Sequence, residues 1–96
     1  MSYRIEISVE AQEEILVAKQ WYEKQQIGLG EDFANTTILH IDSLKSGIVE
    51  FKVAFDDVRR MLVKRFPYVV YYKRIEATKT VKVIAVLHER QQKELK

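Results

Sequence analysis

Ninety-six residues, 47% of them hydrophobic, with 3 Gly and 1 Pro, suffice for one domain with a core but leave little area for a second module or a deep enclosed cofactor pocket. Zero Cys excludes disulfides, thiolate metal sites and thiol nucleophiles, and with 2 His the composition points to no metal and no cofactor. The net charge of +2 conceals a division, because residues 1–50 carry four basic against nine acidic side chains (net −5) and residues 51–96 carry twelve against five (net +7). An asymmetry of that size builds a basic face, which attracts a phosphate backbone or an acidic protein segment. The N-terminal residues lack the apolar run of a signal peptide, and no stretch approaches about 18 apolar residues, so no membrane partner and a cytoplasmic location are expected.

Tyr3, Ile5 and Ile7 alternate with Arg4, Glu6 and Ser8, which predicts a short strand with one buried face. Ser8 is placed to cap the helix that follows, whose stripe Ala11, Ile15, Ala18 and Tyr22 forms the core face, flanked by Val17 and Trp21. Gly28-Leu29-Gly30 interrupts the helical period, predicting a hairpin of two helices. The second helix is predicted over residues 31–46, with Phe33, Thr37, Ile41 and Leu44 on its stripe and Gly47 as its stop. His40 flanks that stripe and reads as a structural residue. Leu16 and Leu39 fall off the two stripes, as a partner interface or as scattered surface apolars.

From residue 49 the period changes to 2. Val49, Phe51, Val53 and Phe55 predict a strand ending at an Asp56-Asp57 turn, and further strands are predicted over residues 58–65, 68–74 and 80–89. Pro67, which has no N–H, belongs at a strand start. The tail, residues 91–96, reads as loosely ordered. The order β-α-α-β-β-β-β predicts an α+β fold, a two-helix hairpin packed on one face of an antiparallel sheet. Simple alternation along the last strand puts Val81, Val83, Ala85 and Leu87 beneath the helices and Lys82, Ile84, Val86, His88 and Arg90 on the opposite face. Tyr68-Val69-Val70-Tyr71-Tyr72 is apolar on both parities, so that opposite face must be partly covered.

A sheet face carrying Arg59 or Arg60, Lys64 or Arg65, Lys82 and a tyrosine such as Tyr72 suits an RNA backbone, through bidentate arginine pairing and base stacking, and suits an acidic peptide equally well. His88, whose ordinary pKa of ~6.5 is nearest neutrality, is the candidate general acid or base. Metal-free RNA cleavage needs a base, an acid and a cation for the phosphorane charge, roles that His88, Arg90 and Arg59 can fill. No Walker loop, nucleophile elbow or dinucleotide fingerprint is present.

Three segments carry a family resemblance: Gln20-Trp21-Tyr22-Glu23 with Gly28-Leu29-Gly30-Glu31-Asp32-Phe33; the run from Val58-Arg59-Arg60 to Arg65-Phe66-Pro67-Tyr68 and on to Tyr72; and Val83-Ile84-Ala85-Val86-Leu87-His88. In this order they resemble RelE/ParE-type toxins of type II toxin–antitoxin systems over nearly the whole chain. The resemblance implies two helices against an antiparallel sheet, and an antitoxin encoded beside the gene that neutralises this chain in a hetero-oligomer. RelE-like members cleave mRNA in the ribosome, whereas ParE-like members poison DNA gyrase. The sequence is more similar to the ParE-like, plasmid-stabilisation branch; such members often continue past the histidine with an R-[DN]-P ending, whereas here Glu89-Arg90-Gln91-Gln92 follows, and the chain-end tyrosine of some nuclease members is missing, two departures that count against cleavage activity.

Overall fold

The computed structural model describes residues 2–91; the remainder of the tail predicted as loose lies outside them. Strand β1 (Arg4–Ile7) leads into α1 (Val9–Gln25) and α2 (Leu29–Asp42), which continues into a short 3-10 turn (Ser43–Ser46). Strands β2 (Val53–Phe55), β3 (Val58–Leu62), β4 (Tyr68–Ile75) and β5 (Thr80–His88) complete a five-stranded sheet in the order β1-β5-β4-β3-β2. This is the predicted α+β architecture of a helix hairpin on one sheet face. It has one difference in direction: β1 runs parallel to β5, while the other pairs are antiparallel. The β2–β5 meander leaves the outer edge of β5 free, and β1 takes it, with Ile5 and Ile7 packed against the core under the helices. No helix among the described residues is long and apolar enough to cross a membrane.

The helices form where the apolar period and the caps agree. The Ser8 hydroxyl accepts the Ala11 N–H at 3.0 Å, and Ala11, Ile15, Ala18 and Tyr22 are buried as predicted. On α2, Phe33, Thr37 and Ile41 are buried, followed by Leu44. The hairpin is tight because Gly28 adopts φ +89° and Gly30 lets α2 lie against α1, where a Cβ would collide with the Lys19 carbonyl oxygen. The Glu23 carboxylate locks the connection, accepting the Gly28 and Gly30 N–H groups at 2.9 and 3.0 Å; these bonds, led by the one from Gly28, hold its carboxyl below the ordinary range.

The second half departs from simple alternation in two places. The strand predicted from residue 49 is regular only from Val53, and its pairing with β3 is irregular between Val53 and Phe55. In β5, Tyr71 pairs with Ala85 but Tyr72 pairs with Val83, so Ile84 is an extra residue and the strand bulges there. The bulge reverses every inside-outside assignment beyond it. Val81, Val83 and Val86 lie in the helix-side core, whereas Ala85 and Leu87 join Val58, Val69 and Tyr71 in a second cluster on the other face, with Phe55 and Ile84 packed against it. The predicted placement of Ala85 and Leu87 beneath the helices and of Val86 and His88 on the opposite face is therefore corrected. The second cluster supplies the cover that the doubly apolar β4 requires.

Two substitutions test this packing. Ile15→Ala, which opens the helix–sheet core, is expected to cost ~2–5 kcal/mol, whereas Leu16→Ala, on a residue 52% exposed, stays within about 0.5 kcal/mol in urea unfolding. Gly30→Ala forces the two helix backbones apart and is expected to cost ~1–3 kcal/mol with a lowered unfolding midpoint, although alanine is the better helix former; an unchanged midpoint would show that the hairpin relaxes freely.

Candidate functional site

The cationic residues do not gather on one face. Arg59, on the helix side of β3 opposite Tyr72, donates to the Phe51 carbonyl at 2.6 Å and pairs with Glu50 at 3.1 Å. Arg74 also reaches Glu50, and it donates to the Tyr3 hydroxyl at 2.9 Å while its guanidinium stacks over the Tyr3 ring. Arg65, at φ +74°, makes a bidentate pair with Asp32 at 2.9 and 3.0 Å, and this pair holds the Asp32 carboxyl below its ordinary range. Lys64 is exposed and uses its backbone N–H on the Nε2 atom of His40, whose Nδ1–H donates to the Thr36 carbonyl. His40 is thus a strut between α2 and the β3–β4 loop, as the structural reading has it.

Arg60 lies on the opposite sheet face, half-buried across from Tyr71, and Lys82 is exposed on that face directly opposite Lys73. Tyr72 is fully buried in the helix-side core, and burial pushes its phenol up, so it supports the sheet rather than offering a stacking surface.

His88 ends β5 on the helix side, edge-on to Tyr68 with ring centroids 5.4 Å apart. Its Nδ1 accepts the Arg90 N–H at 3.2 Å, which leaves the proton of the neutral ring on Nε2, and its own N–H donates to the Gln91 amide oxygen. Arg90 is exposed in the turn after the strand. The structure therefore brings His88 and Arg90 together but not Arg59. The partners of His88 and Arg59 on β4, Tyr68 and Tyr72, are four residues apart, roughly 13 Å along the strand.

What the fold does assemble beside His88 is a groove between α1 and the edge of β5. β1 stops pairing at Val83, so beyond that point the edge of β5 faces α1 alone. One lobe, about 470 Å³, lies between Glu10, Glu13 and Glu14 on the helix and Val86 and Leu87 on the strand. The other, about 410 Å³, lies between Val17 and Trp21 on the helix and Pro67, Tyr68 and His88. Val17, Ala18 and Tyr68 line both lobes, so the two are continuous. Val17 is 64% and Trp21 55% exposed, and below them Tyr22, Phe33, Phe66 and Tyr68 form an aromatic cluster with centroids 5.0–6.0 Å apart. Alternation gave no access to the strand side of this groove, because it placed Val86 and His88 on the wrong face. The helix side was legible, since Val17 and Trp21 flank the buried stripe.

Glu14 connects the groove's walls: its carboxylate accepts the Val86 N–H at 2.8 Å. Burial raises its carboxyl above the ordinary range and Glu10 adds to this, against the lowering effect of the Val86 bond. A carboxyl raised on folding contributes stability below its unfolded pKa and loses it as pH rises through the folded value. Glu14→Gln, which keeps an acceptor for Val86 without a charge, is therefore expected to match or exceed the parent's stability at pH 7 and to lose that advantage towards pH 4. Glu14→Ala leaves the N–H without its partner and is expected to cost about 1 kcal/mol towards pH 4 and less at pH 7, where it also removes the buried charge. Denaturant titrations at the two pH values check both expectations.

No family model matches the sequence, and no curated protein matches it. Among solved structures, the fold is similar to a chain of the "Chromosomal ParDE TA system from P. aeruginosa", with a TM-score of 0.78 over 91% of this chain and 96% of that one at 9% identity. The helix hairpin on a mostly antiparallel five-stranded sheet is thus a ParE-like fold.

Proposed function

We propose that this chain is the toxin of a type II toxin–antitoxin pair, neutralised by an antitoxin encoded beside it, and that it acts in the ParE-like manner, by contact with DNA gyrase. The observation that carries the reading is the fold likeness to a chain of a ParDE system over nine-tenths of the length, in the order of elements that the W-Y-E, G-L-G and A-V-L-H segments imply. Contact rather than catalysis is supported by the dispersal of the candidate nuclease residues. Arg59 is occupied by Glu50 and Phe51 roughly 13 Å along the sheet from His88, and the His88 Nδ1 is occupied by a backbone N–H. A ribosome-dependent endoribonuclease would use His88 with Arg90, and an inert descendant would bind the antitoxin alone.

Inducing the chain by itself in a bacterium, then mapping mRNA 5′ ends and plasmid topology in one culture, separates the three. DNA breaks or relaxed plasmid with intact transcripts are expected. His88→Gln, whose amide does not titrate near neutral pH, is expected to leave growth arrest intact, whereas charge reversal at Lys64, Lys82 and Arg90, which make no ion pair among the described residues, is expected to weaken it. A folded His88→Gln chain that binds antitoxin but no longer arrests growth, with cut transcripts in the parent culture, would replace the gyrase reading by the nuclease one.

A further inference from the structure

The end of the sheet away from His88 carries two arginines that are held in place by groups of the chain. Arg74 donates to the Tyr3 hydroxyl at 2.9 Å and to the Gly47 carbonyl at 3.3 Å, and its guanidinium stacks over the Tyr3 ring. Arg59 faces Tyr72 across the β3–β4 ladder, which makes Arg74 its diagonal neighbour on the same sheet face, and its Nη1–H donates to the Phe51 carbonyl. Each arginine turns a further nitrogen to one carboxylate oxygen: Arg59 Nη2 lies 3.1 Å and Arg74 Nη1 3.5 Å from Glu50 Oε1.

The pairing is lopsided. The Arg74 and Arg59 side chains are only 15% and 27% exposed, whereas Glu50 is 60% exposed and stands between Gly47 and β2 on a segment without regular structure, where Ile48 and Val49 also face solvent. The cations are the fixed party and the carboxylate is the movable one. Arg74 Nε and Nη1 are covered yet make no hydrogen bond among the described residues, since Glu76 and Glu50 stand 3.6 and 3.5 Å away, close enough for charge but beyond a good hydrogen bond. These are the donors with which arginine grips an oxyanion at two points.

Charge and reach together select the oxyanion. Arg59, Arg74 and Lys79 against Glu50 and Glu76 leave one positive charge with Glu50 in place and two once its side chain turns outward. A phosphate monoester carries about −1.5 to −2 at pH 7 and three acceptor oxygens, so it matches what Glu50 leaves behind better than a second carboxylate does. Opening needs only a rotation of the Glu50 side chain, because the Gly47 and Phe51 carbonyls keep the backbone on Arg74 and Arg59 and Phe51 stays packed against the core.

We propose that Arg59 and Arg74 form a binding site for the phosphate group of a small molecule, inorganic phosphate or a phosphomonoester, and that the Glu50 carboxylate is its internal stand-in, closing the site until phosphate displaces it. The site stands apart from the toxin–antitoxin reading, because it lies at the other end of the sheet from His88 and the groove and asks nothing of a partner protein.

Calorimetric titration of the full chain with inorganic phosphate and with glycerol 3-phosphate, at constant ionic strength, tests this. Glu50→Gln keeps the size of the side chain and removes its charge; it is expected to bind about tenfold more tightly than the parent, the gain that follows if the carboxylate closes the site about nine-tenths of the time. The Arg74 Nε–H resonance of that variant is expected to shift as phosphate is added. Adding Arg59→Gln to Glu50→Gln is expected to remove the binding while the circular dichroism spectrum stays that of a folded chain. Tighter binding of glycerol 3-phosphate assigns the site to an esterified phosphate, and equal or tighter binding of inorganic phosphate assigns it to the free ion. A folded Glu50→Gln chain that binds both compounds no better than the parent, or a double variant that binds as tightly as Glu50→Gln alone, overturns the proposal.

Discussion

β5 holds one residue more than its partner between Val83 and Ala85, and the architecture turns on that insertion. Before the bulge the strand's odd residues face the helices; after it, the even ones do. Val81, Val83 and Val86 can thus all reach the helix-side core although they are not on one parity, while Ile84 and Ala85 both serve the second cluster around Tyr71. The Ser8 N–H and hydroxyl bond to the Val83 and Ile84 carbonyls at the same place, so the start of α1 is pinned where the ladder is interrupted. The end of β1, the cap of α1 and the kink of β5 are one junction. Everything beyond it, including the turn of His88 towards Tyr68 and the open edge opposite Glu14, follows from where that junction lies.

A second constraint comes from charge. A chain with net −5 in one half and +7 in the other folds so that much of the difference is neutralised internally: Arg65 meets Asp32, and Arg59 and Arg74 converge on Glu50. Individually such exposed pairs contribute little, typically ~0–1 kcal/mol. Their larger effect is on what remains for a partner. Among the described residues Arg60, Lys64, Lys82 and Arg90 stay without an ion-pair partner at scattered positions, as do the three carboxylates of the Glu10–Glu13–Glu14 turn. The surface is therefore bipolar in a finer pattern than the halves of the sequence suggest, with separate places for anionic and cationic partners.

The helix pair owes its rigidity to contacts of three kinds converging on the loop between β3 and β4. Phe66 enters the aromatic cluster of Tyr22 and Phe33, and the Asp32, Thr36 and His40 side of α2 grips Arg65 and the Lys64 backbone. Those contacts hold Arg65 in a left-handed conformation that a non-glycine residue rarely adopts unaided. By seating Pro67 and Tyr68 under Trp21, the loop also forms the apolar end of the groove, so fold stability and the candidate site share residues.

The sequence by itself determined the helix hairpin and its buried faces. The stripes Ala11–Ile15–Ala18–Tyr22 and Phe33–Thr37–Ile41, the Ser8 cap and the glycine at position 47 with φ +68° all depend on neighbours within about four residues, and such interactions are written in local spacing. The number and order of strands were legible for the same reason, apart from the shortening of β2 and of β3, which ends at Leu62 rather than at residue 65. Only the tertiary structure decided the face of each residue beyond Val83, the parallel placement of β1, the partners of the arginines and hence the groove. A bulge is a relation between two strands, and a period of two carries a one-residue insertion forward as an error in every later position. The ion pairs join residues up to 33 positions apart, a separation that no local pattern reports. His88 was recognisable as a candidate from its chemistry, but its turn to the helix side against Tyr68 depended on that single extra residue, and its separation from Arg59 on the strand register.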